Sequence, residues 1–520
     1  MRVLPVALEA VLVELDSLEE VLALHESLRE APLAGVTEMV PAARTLFIGF
    51  DPLVQGGDRI AAEVARRDLT PRAQGPARLR ELPTRYEGED LAEVAALTGL
   101  SVAEVIARHQ SQPWTVAFCG FAPGFGYMTG GDPALDVPRR QSPRTRIPAG
   151  AVALAGKFSG VYPKASPGGW QIIGTTDVPM WDLSRDPPAF LQPGDHVQFT
   201  QARGKSHPVV LPMPETRPAP AQGTGFRVTA SPFPALFQDL GRLGQAGQGV
   251  SASGVLDRHA FRALNRMLGN APGTPAIELT GGGFAFRAEE TAVIAVTGAP
   301  CAVKVNGWNL GSHAPLALDA GDHVEIGAPL SGLRSLLGVR GGFDVERIMG
   351  SATRDTLAEV GPEPLGAGAV LELAHARAGA VEPALSPPEL PRPGETVVLD
   401  VVMGPRTDWF SPETVAALSG QLWEVTPQSS RVGIRLSGEA LTREDARELP
   451  SEGTATGALQ VPHSGQPVLF LADHPLTGGY PVIGSVASYH LDLAGQIPPG
   501  AKIRFNPLAP FAEILSRGSK

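Results

Sequence analysis

The sequence predicts a mainly β protein, made of closed or nearly closed β-barrels behind a small α/β domain at the N-terminus. Three observations carry the prediction. Short apolar runs recur along most of the chain, broken by glycines and prolines, of which there are 60 and 50 in 520 residues. Strands this dense, bounded by turn residues, avoid exposed edges by closing on themselves. Helical and strand-like patterns alternate only at the start, and two proline-rich seams cut the rest into stretches of domain size.

Taken in order, Met1–Leu15 is apolar but interrupted by Glu9 and Glu14. A secretory leader needs an unbroken apolar core, so this segment reads as a strand or helix of the folded domain. Leu18–Leu28 (LEEVLALHESL) has apolar residues at helical spacing and Thr45–Phe50 (TLFIGF) is strand-like, which makes residues 1–80 the α/β domain. Asp90–Gln110 reads as two short helices about a Thr-Gly-Leu-Ser turn, with Ser101 and Glu104 placed as a capping box. Helix-turn-helix DNA readers share this look, yet the second helix offers mainly Arg108 and His109 as polar contacts, so a structural hairpin is expected. Strands at Val152–Ala155, Trp170–Ile173 and His196–Phe199 give a first barrel over 81–211. The segment 212–225 (PMPETRPAPAQGTG) reads as a stiff linker. AVIAVTG (292–298) and CAVKVNG (301–307) belong to a second barrel over 226–380, and 381–395 (VEPALSPPELPRPGE) is a second linker. TVVLDVVMG (396–404) and GALQVPHSGQPVLFLAD (457–473) belong to a third barrel over 396–520.

Composition narrows the function. Hydrophobic residues at 43% and charged residues at 19% fit an ordinary soluble protein, long enough for several cores without staples. A net charge of −11 repels phosphate backbones, so no nucleic-acid partner is expected. Cys119 and Cys301 are the only cysteines, too few for a disulfide framework, and a reducing, cytoplasmic location is expected. No uncharged apolar stretch reaches the roughly 18 residues of a membrane span. The chain has no G-x-x-x-x-G-K-[ST], no H-E-x-x-H and no paired C-x-x-C, so neither a P-loop nor a bound zinc is expected. GVSASG (249–254) approaches a nucleophile elbow, but Ser253 stands where the second glycine belongs. No Met-Lys-Met occurs, so this chain carries no biotin of its own.

Three clusters are more elaborate than turns require. Phe118–Met128 (FCGFAPGFGYM) bends the backbone tightly, and N–H groups in such bends hold anions. Pro138–Gly150 (PRRQSPRTRIPAG) places Arg139, Arg140, Arg144 and Arg146 close together, and guanidinium forks suit carboxylate and phosphate. Gly160–Gly174 (GVYPKASPGGWQIIG) sets Lys164 and Ser166 beside a Pro-Gly-Gly turn.

In this order the clusters resemble the allophanate-hydrolase-like subunit 1 family, which includes the B subunit of prokaryotic 5-oxoprolinase and the inhibitor of the sporulation kinase. The family's G-R-T-P reads Gly174-Thr175-Thr176-Asp177 here. The second half resembles the subunit 2 family, which includes the C subunit of the same enzyme. The likeness lies in Gln238–Gly241 (QDLG), Gly249–Asp257 (GVSASGVLD), Asn265–Asn270 (NRMLGN), Gly350–Thr356 (GSATRDT), Ser429–Leu436 (SSRVGIRL), Ser451–Pro462 (SEGTATGALQVP) and Leu471–Tyr480 (LADHPLTGGY). Ser430 takes the place of that family's aspartate.

The resemblance implies a natural fusion of the two subunits, with one cyclophilin-like barrel in the first half and two in the second. It implies ATP- and Mg2+-dependent hydrolysis of 5-oxoproline to glutamate, together with a separate third subunit. Under that reading Arg139, Arg144 and Lys164 serve phosphates, and Arg354 or Arg431 grips the substrate carboxylate. Ser166, Ser253 and Thr477 join the binding set, while Asp257, Asp473 and His474 are candidates for proton transfer or for Mg2+. The same modules form the carboxyltransferase region of urea carboxylase, so a biotin-dependent carboxyltransferase acting on a urea-like amide is an alternative. A histidine-kinase-binding regulator without activity is another. The partners expected are a small-molecule substrate and the third subunit, with no membrane and with homo-oligomerisation left open. Every functional expectation rests on the arginine-rich loops and the Gly-Thr-rich turns of both halves meeting at one anion-holding cleft.

Overall fold

The computed structural model describes residues 1–70, 78–140, 142, 144–202, 204, 224–383, 385–444 and 449–515. At the N-terminus, Arg2–Ala7, Ala10–Glu14, Thr45–Phe50 and Val36–Pro41 pair in that order as an antiparallel sheet. The helix Leu18–Glu30 begins where it does because the Ser17 side chain accepts the Glu20 N–H, with Glu19 and Glu20 at the positive end of the helix dipole. Its buried stripe of Leu18, Val21, Leu24 and Leu28 faces the sheet side of the domain, and Gly57–Val64 adds a second helix.

The first barrel runs Gln171–Thr175, Ala151–Ala155, Phe158–Val161, Gly126–Thr129, Trp114–Cys119, His196–Gln201, Leu79–Thr84. Its two end strands nearly close the ring, since Arg85 and Thr175 exchange backbone hydrogen bonds of 2.8 Å each way. Thr175, an arginine in the resembled family, therefore serves closure through its backbone, which any side chain permits. The helices Leu91–Thr98 and Val102–Gln110 form the expected hairpin, with the Ser101–Glu104 capping box in place. His109 is fully buried between the Tyr86 hydroxyl (2.8 Å) and Ser159 Oγ (3.0 Å), so it is a core group with no exposed contact to offer DNA.

In the middle unit the barrel is opened into two sheets facing one another. Trp308–Asn309, Cys301–Val305, His323–Pro329, Phe284–Ala288, Phe226–Ala230 and Val370–Leu371 form one; Ala235–Gln238, Ala276–Thr280, Arg334–Val339, Ala292–Gly298 and Leu316–Leu318 form the other. Both bury their inner faces in a single core that includes Phe226, Phe237, Ile277, Phe286, Val296 and Leu337. The chain changes sheet at Gly281–Gly282–Gly283, all three at φ of 75–81°, a left-handed run that side chains would resist.

The last unit is a closed barrel of Thr396–Met403, Val482–Val486, Ala458–Gln460, Val468–Phe470, Gly433–Ser437, Trp423–Val425 and Lys502–Pro507, around Leu399, Trp423 and Phe505. Of the two expected linkers, 212–223 lies outside the described residues. The other is docked rather than free: Leu385 N–H donates to His313 O, Gly332 N–H to Pro391 O, and Glu382 pairs with Arg266.

The front domain packs on the last barrel. Arg2 bonds Glu14, Asp408 and Glu513; Arg406 bonds Glu14 and Glu452; and Ile514 N–H donates to Val3 O. The segment at Glu513–Ile514 thus returns to the first strand. Among the described residues no helix is long and apolar enough to cross a membrane.

Burial pushes the His109 imidazole from 6.5 down to about 3. Below pH 6.5 the unfolded chain takes up a proton that the folded chain refuses until about pH 3, so stability falls on acidification through that window, by at most about 1.4 kcal/mol per pH unit. Melting curves from pH 7 to pH 4 should show a shallower decline for His109→Gln than for the wild type; equal slopes would contradict the assignment.

Candidate functional site

Two glycines bring the halves of the chain together. A Cβ at Gly120 would lie 2.6 Å from Thr477 Oγ1, and one at Gly249 would lie 2.5 Å from the Ala122 carbonyl oxygen. The Phe118–Met128 bend of the first half therefore sits backbone-first on the Gly249 loop and the Thr477 turn of the second. Phe121 N–H donates to Thr477 Oγ1 (3.1 Å) and Gly124 N–H donates to Gln248 O (3.0 Å). Lys164 crosses the same seam, with Nζ 2.5 Å from Leu357 O and 3.5 Å from Glu359.

Beside this contact lies a cavity of about 370 Å3 lined by three units of the chain. Asp16, Ser17 and Arg44 come from the front domain; Tyr127, Arg139 and Lys157 from the first barrel; Leu449, Pro450 and Ser451 from the last. Its lining carries three cations against one carboxylate, and the start of the helix Leu18–Glu30 faces it. Arg139 Nη2 reaches Ser451 Oγ at 3.5 Å. Burial pushes the Tyr127 phenol up, opposed by Ser451, Arg139 and Thr477 around it, so it remains a protonated donor.

Behind the Gly249 loop is a buried ionic joint between the two units of the second half. Arg431, 5% exposed, holds Asp473 through Nε and Nη2 (3.0 Å each), Glu278 through Nη1 (2.5 Å) and Gly254 O through Nη2 (2.6 Å). Asp473, 0% exposed, also accepts from Ser253 Oγ (2.5 Å), Thr356 N–H (2.9 Å) and Thr356 Oγ1 (2.7 Å). Burial alone would raise the Asp473 carboxyl, but the charge and hydrogen bonds of Arg431 outweigh it and hold the group below the usual carboxylate range. Burial likewise works against the Arg431 charge and is reversed by Asp473 and Glu278. Ser253, which makes one of these bonds, stands at φ 52° in the left-handed region, and backbone strain of this kind collects at functional sites.

The comparisons with known proteins agree with this two-part construction. Residues 1–191 match the family described as carboxyltransferase domain, subdomain C and D, and residues 248–507 match carboxyltransferase domain, subdomain A and B. The chain is 34% identical over 271 residues to the 5-oxoprolinase C subunit of Escherichia coli, covering 52% of this chain and 86% of that one. It is 36% identical over 195 residues to the 5-oxoprolinase B subunit of Bacillus subtilis, covering 35% and 81%. It is also 34% identical over 311 residues to urea amidolyase of Saccharomyces cerevisiae, covering 55% of this chain but 17% of that protein. The crystal structure of TTHA0988 superposes over 96% of this chain and 99% of its own, with a TM-score of 0.84 at 34% identity.

The chain belongs to the carboxyltransferase-domain family. It is a fusion of a C/D part and an A/B part, similar respectively to the B and C subunits of 5-oxoprolinase.

Within these carboxyltransferase domains the sequence-derived residues divide sharply. Arg139 lines the cavity, Lys164 and Thr477 join the C/D part to the A/B part, and Ser253 lies against Asp473. The others are spent on the fold. Arg144 pairs with Asp90 (2.7 Å) and Glu89 (3.2 Å) of its own barrel, leaving no fork for phosphate. Ser166 donates to Lys164 O across a tight turn. Arg354 is held by Gly361 O and Glu363, and the carboxylates gripped by Arg431 are the protein's own. Asp257 caps the helix Arg258–Leu268 through Ala260 N–H, and its other oxygen accepts from Gln496. His474 stacks on Phe470 with Nδ1 at Pro475 O, and burial lowers it, so it is a neutral core ring. Asp473 is locked in the joint, with no face free for a metal. Ser430 Oγ accepts Val432 N–H and serves a turn.

Tyr127 and Ser451 were missed although they lie inside the Phe118–Met128 and Ser451–Pro462 motifs, and Arg44 and Lys157 carry no local signal at all. Arg431→Met should cost about 3–5 kcal/mol in chemical denaturation, because it strands Asp473 and Glu278 as buried unpaired charges. A loss below about 1 kcal/mol would show that the joint is far wetter than its geometry indicates.

Proposed function

We propose that the chain is the B-plus-C part of an ATP-dependent 5-oxoprolinase, which opens 5-oxoproline to glutamate together with a separate third subunit. The observation that carries this reading is the shared cavity: parts similar to two subunits of one enzyme jointly line a single cation-rich hollow. The matches also span 86% and 81% of the two oxoprolinase subunits.

An unstrained lactam is a poor electrophile. ATP would supply a phosphoryl group to its oxygen, and water would then add to the activated carbon. The ring C–N bond would break with the nitrogen leaving as the amine, and a second water would hydrolyse the resulting acyl phosphate to glutamate and phosphate. Arg139, Arg44 and Lys157 suit anionic oxygens held at the cavity wall, in a setting where fixed cations act more strongly than in water. The Tyr127 phenol and Ser451 hydroxyl can orient a carbonyl beside them, and Leu449 and Pro450 narrow the water's approach. Mg2+ would come with the phosphate oxygens and water, and Asp16 is the carboxylate of the lining that could join them.

The carboxyltransferase match favours a second reading, transfer of a carboxyl group from a biotin carrier on another chain to a urea-like amide. One assay separates the two. The purified chain is mixed with its third subunit, ATP, Mg2+ and 5-oxoproline, and glutamate and ADP are followed together. We expect equimolar products, with kcat/KM reduced roughly 100-fold or more in Arg139→Ala. No glutamate, with discharge of a carboxylated biotin carrier instead, would replace the first reading by the second.

A further inference from the structure

Arg242 stands immediately after the Gln238–Gly241 motif and is 3% exposed. Its Nη2 donates to the carbonyl oxygens of Thr353 and Val360. Its Nε and Nη1 have no hydrogen-bond partner, and no other buried side chain among the described residues leaves two polar atoms unmatched. Buried donors of a cation are rarely left so; where they are, a water, an ion or a ligand is the usual partner.

The surroundings show why no protein group fills the role. Asp355, Asp239 and Asp473 all attract Arg242, in that order, yet each has its oxygens engaged elsewhere. Asp355 accepts from Ser251 Oγ (2.7 Å), Leu357 N–H (2.9 Å) and Ala358 N–H (2.8 Å). Asp239 accepts from Ser351, Thr353, Ala352 N–H, Gly241 N–H and Arg347. Asp473 is taken by Arg431, Ser253 and Thr356.

The pieces around these two donors are rigidly placed. A Cβ at Gly241 would lie 2.5 Å from Ala252 O, so the loop bearing Arg242 lies flat on the loop bearing Ser251 and Ser253. The carbonyls of Thr353 and Val360 that Arg242 holds flank a short turn in which Thr356 and Glu359 are exposed and Leu357 is pinned by Lys164 from the C/D part. Three neighbouring carboxylates would repel a polyphosphate. Burial and the charge of Asp473 already push the Asp355 carboxyl up. A compact, singly charged acceptor is repelled less than a polyphosphate and can meet both donors at once.

We infer that Arg242 anchors a carboxylate-binding subsite beneath the Gly249–Gly254 loop, its Nε–H and Nη1–H donating to the carboxylate of a small monoanion. Only the identity of that monoanion, 5-oxoproline, rests on the oxoprolinase reading. The subsite takes over the carboxylate grip that Arg354 and Arg431 are too committed to provide.

Calorimetric titration of the full chain with 5-oxoproline, and with formate as the smallest carboxylate, tests the subsite. Crystals of the wild type soaked in each compound give a second measurement that needs no variant to fold. We expect carboxylate density at Arg242 Nε and Nη1, and affinity weakened about 10- to 100-fold in Arg242→Lys and Arg242→Gln. Affinity unchanged in folded Arg242 variants, or soaked crystals showing only water at both nitrogens, would overturn the inference. Formate at Arg242 with no glutamate formed in the reconstituted assay would sink the oxoprolinase reading and leave the subsite standing. Glutamate formed by Arg242→Lys with an unaltered KM would do the reverse.

Discussion

The two halves of this chain can meet as they do because two positions have no side chain. Gly120 and Gly249 let backbone lie against backbone, and the hydrogen bonds from Phe121 N–H to Thr477 and from Gly124 N–H to Gln248 follow from that proximity. A methyl group at either place would have to displace a carbonyl or a threonine, and backbone of this kind does not yield cheaply. From this one approach come the placement of Arg139 beside Ser451, the reach of Lys164 to Leu357, and the shared wall of the cavity.

Behind that contact the interior is unusually ionic. Arg334, Glu278, Arg431 and Asp473 alternate in sign across the joint between the last two units. Such pairs contribute little net stability compared with apolar packing, since each charge gives up its hydration. They do tie down the Gly249–Gly254 loop: Ser253, at φ 52°, donates its hydroxyl to Asp473, and Arg431 holds Asp473 in turn. The front domain is fixed to the last barrel by a comparable set around Arg406, and the returning segment at Ile514 fastens it further. The cavity therefore depends on three interfaces at once, which fits a chain whose counterparts are separate subunits.

Much of the architecture was legible in the residues. Apolar spacing gave the helix from Leu18, the strands at Thr45–Phe50 and Ala292–Gly298 stand where their β-branched runs suggest, and Ser101 with Glu104 caps its helix as its spacing requires. The opening of the middle barrel into two sheets was less so, because three consecutive glycines signal a turn without saying which sheet the chain enters next. The site was legible as motifs and illegible as roles. An arginine in an acidic chain announces a need for an anion, but its partner is chosen by the fold: Asp90 is 54 residues from Arg144, and Glu278 is 153 residues from Arg431. Arg242 shows the converse, a residue with no local distinction whose isolation is visible only once its neighbours are seen to be occupied.

The central claim, that one site is assembled across both halves, can be put to a direct measurement. A protease site inserted between residues 212 and 223 is cleaved in the purified protein, and the product is diluted and examined by sedimentation velocity. The account predicts that the fragments sediment together as one particle of unchanged mass at micromolar concentration. Two separately sedimenting species would contradict it, because halves that part so easily cannot share a cavity wall.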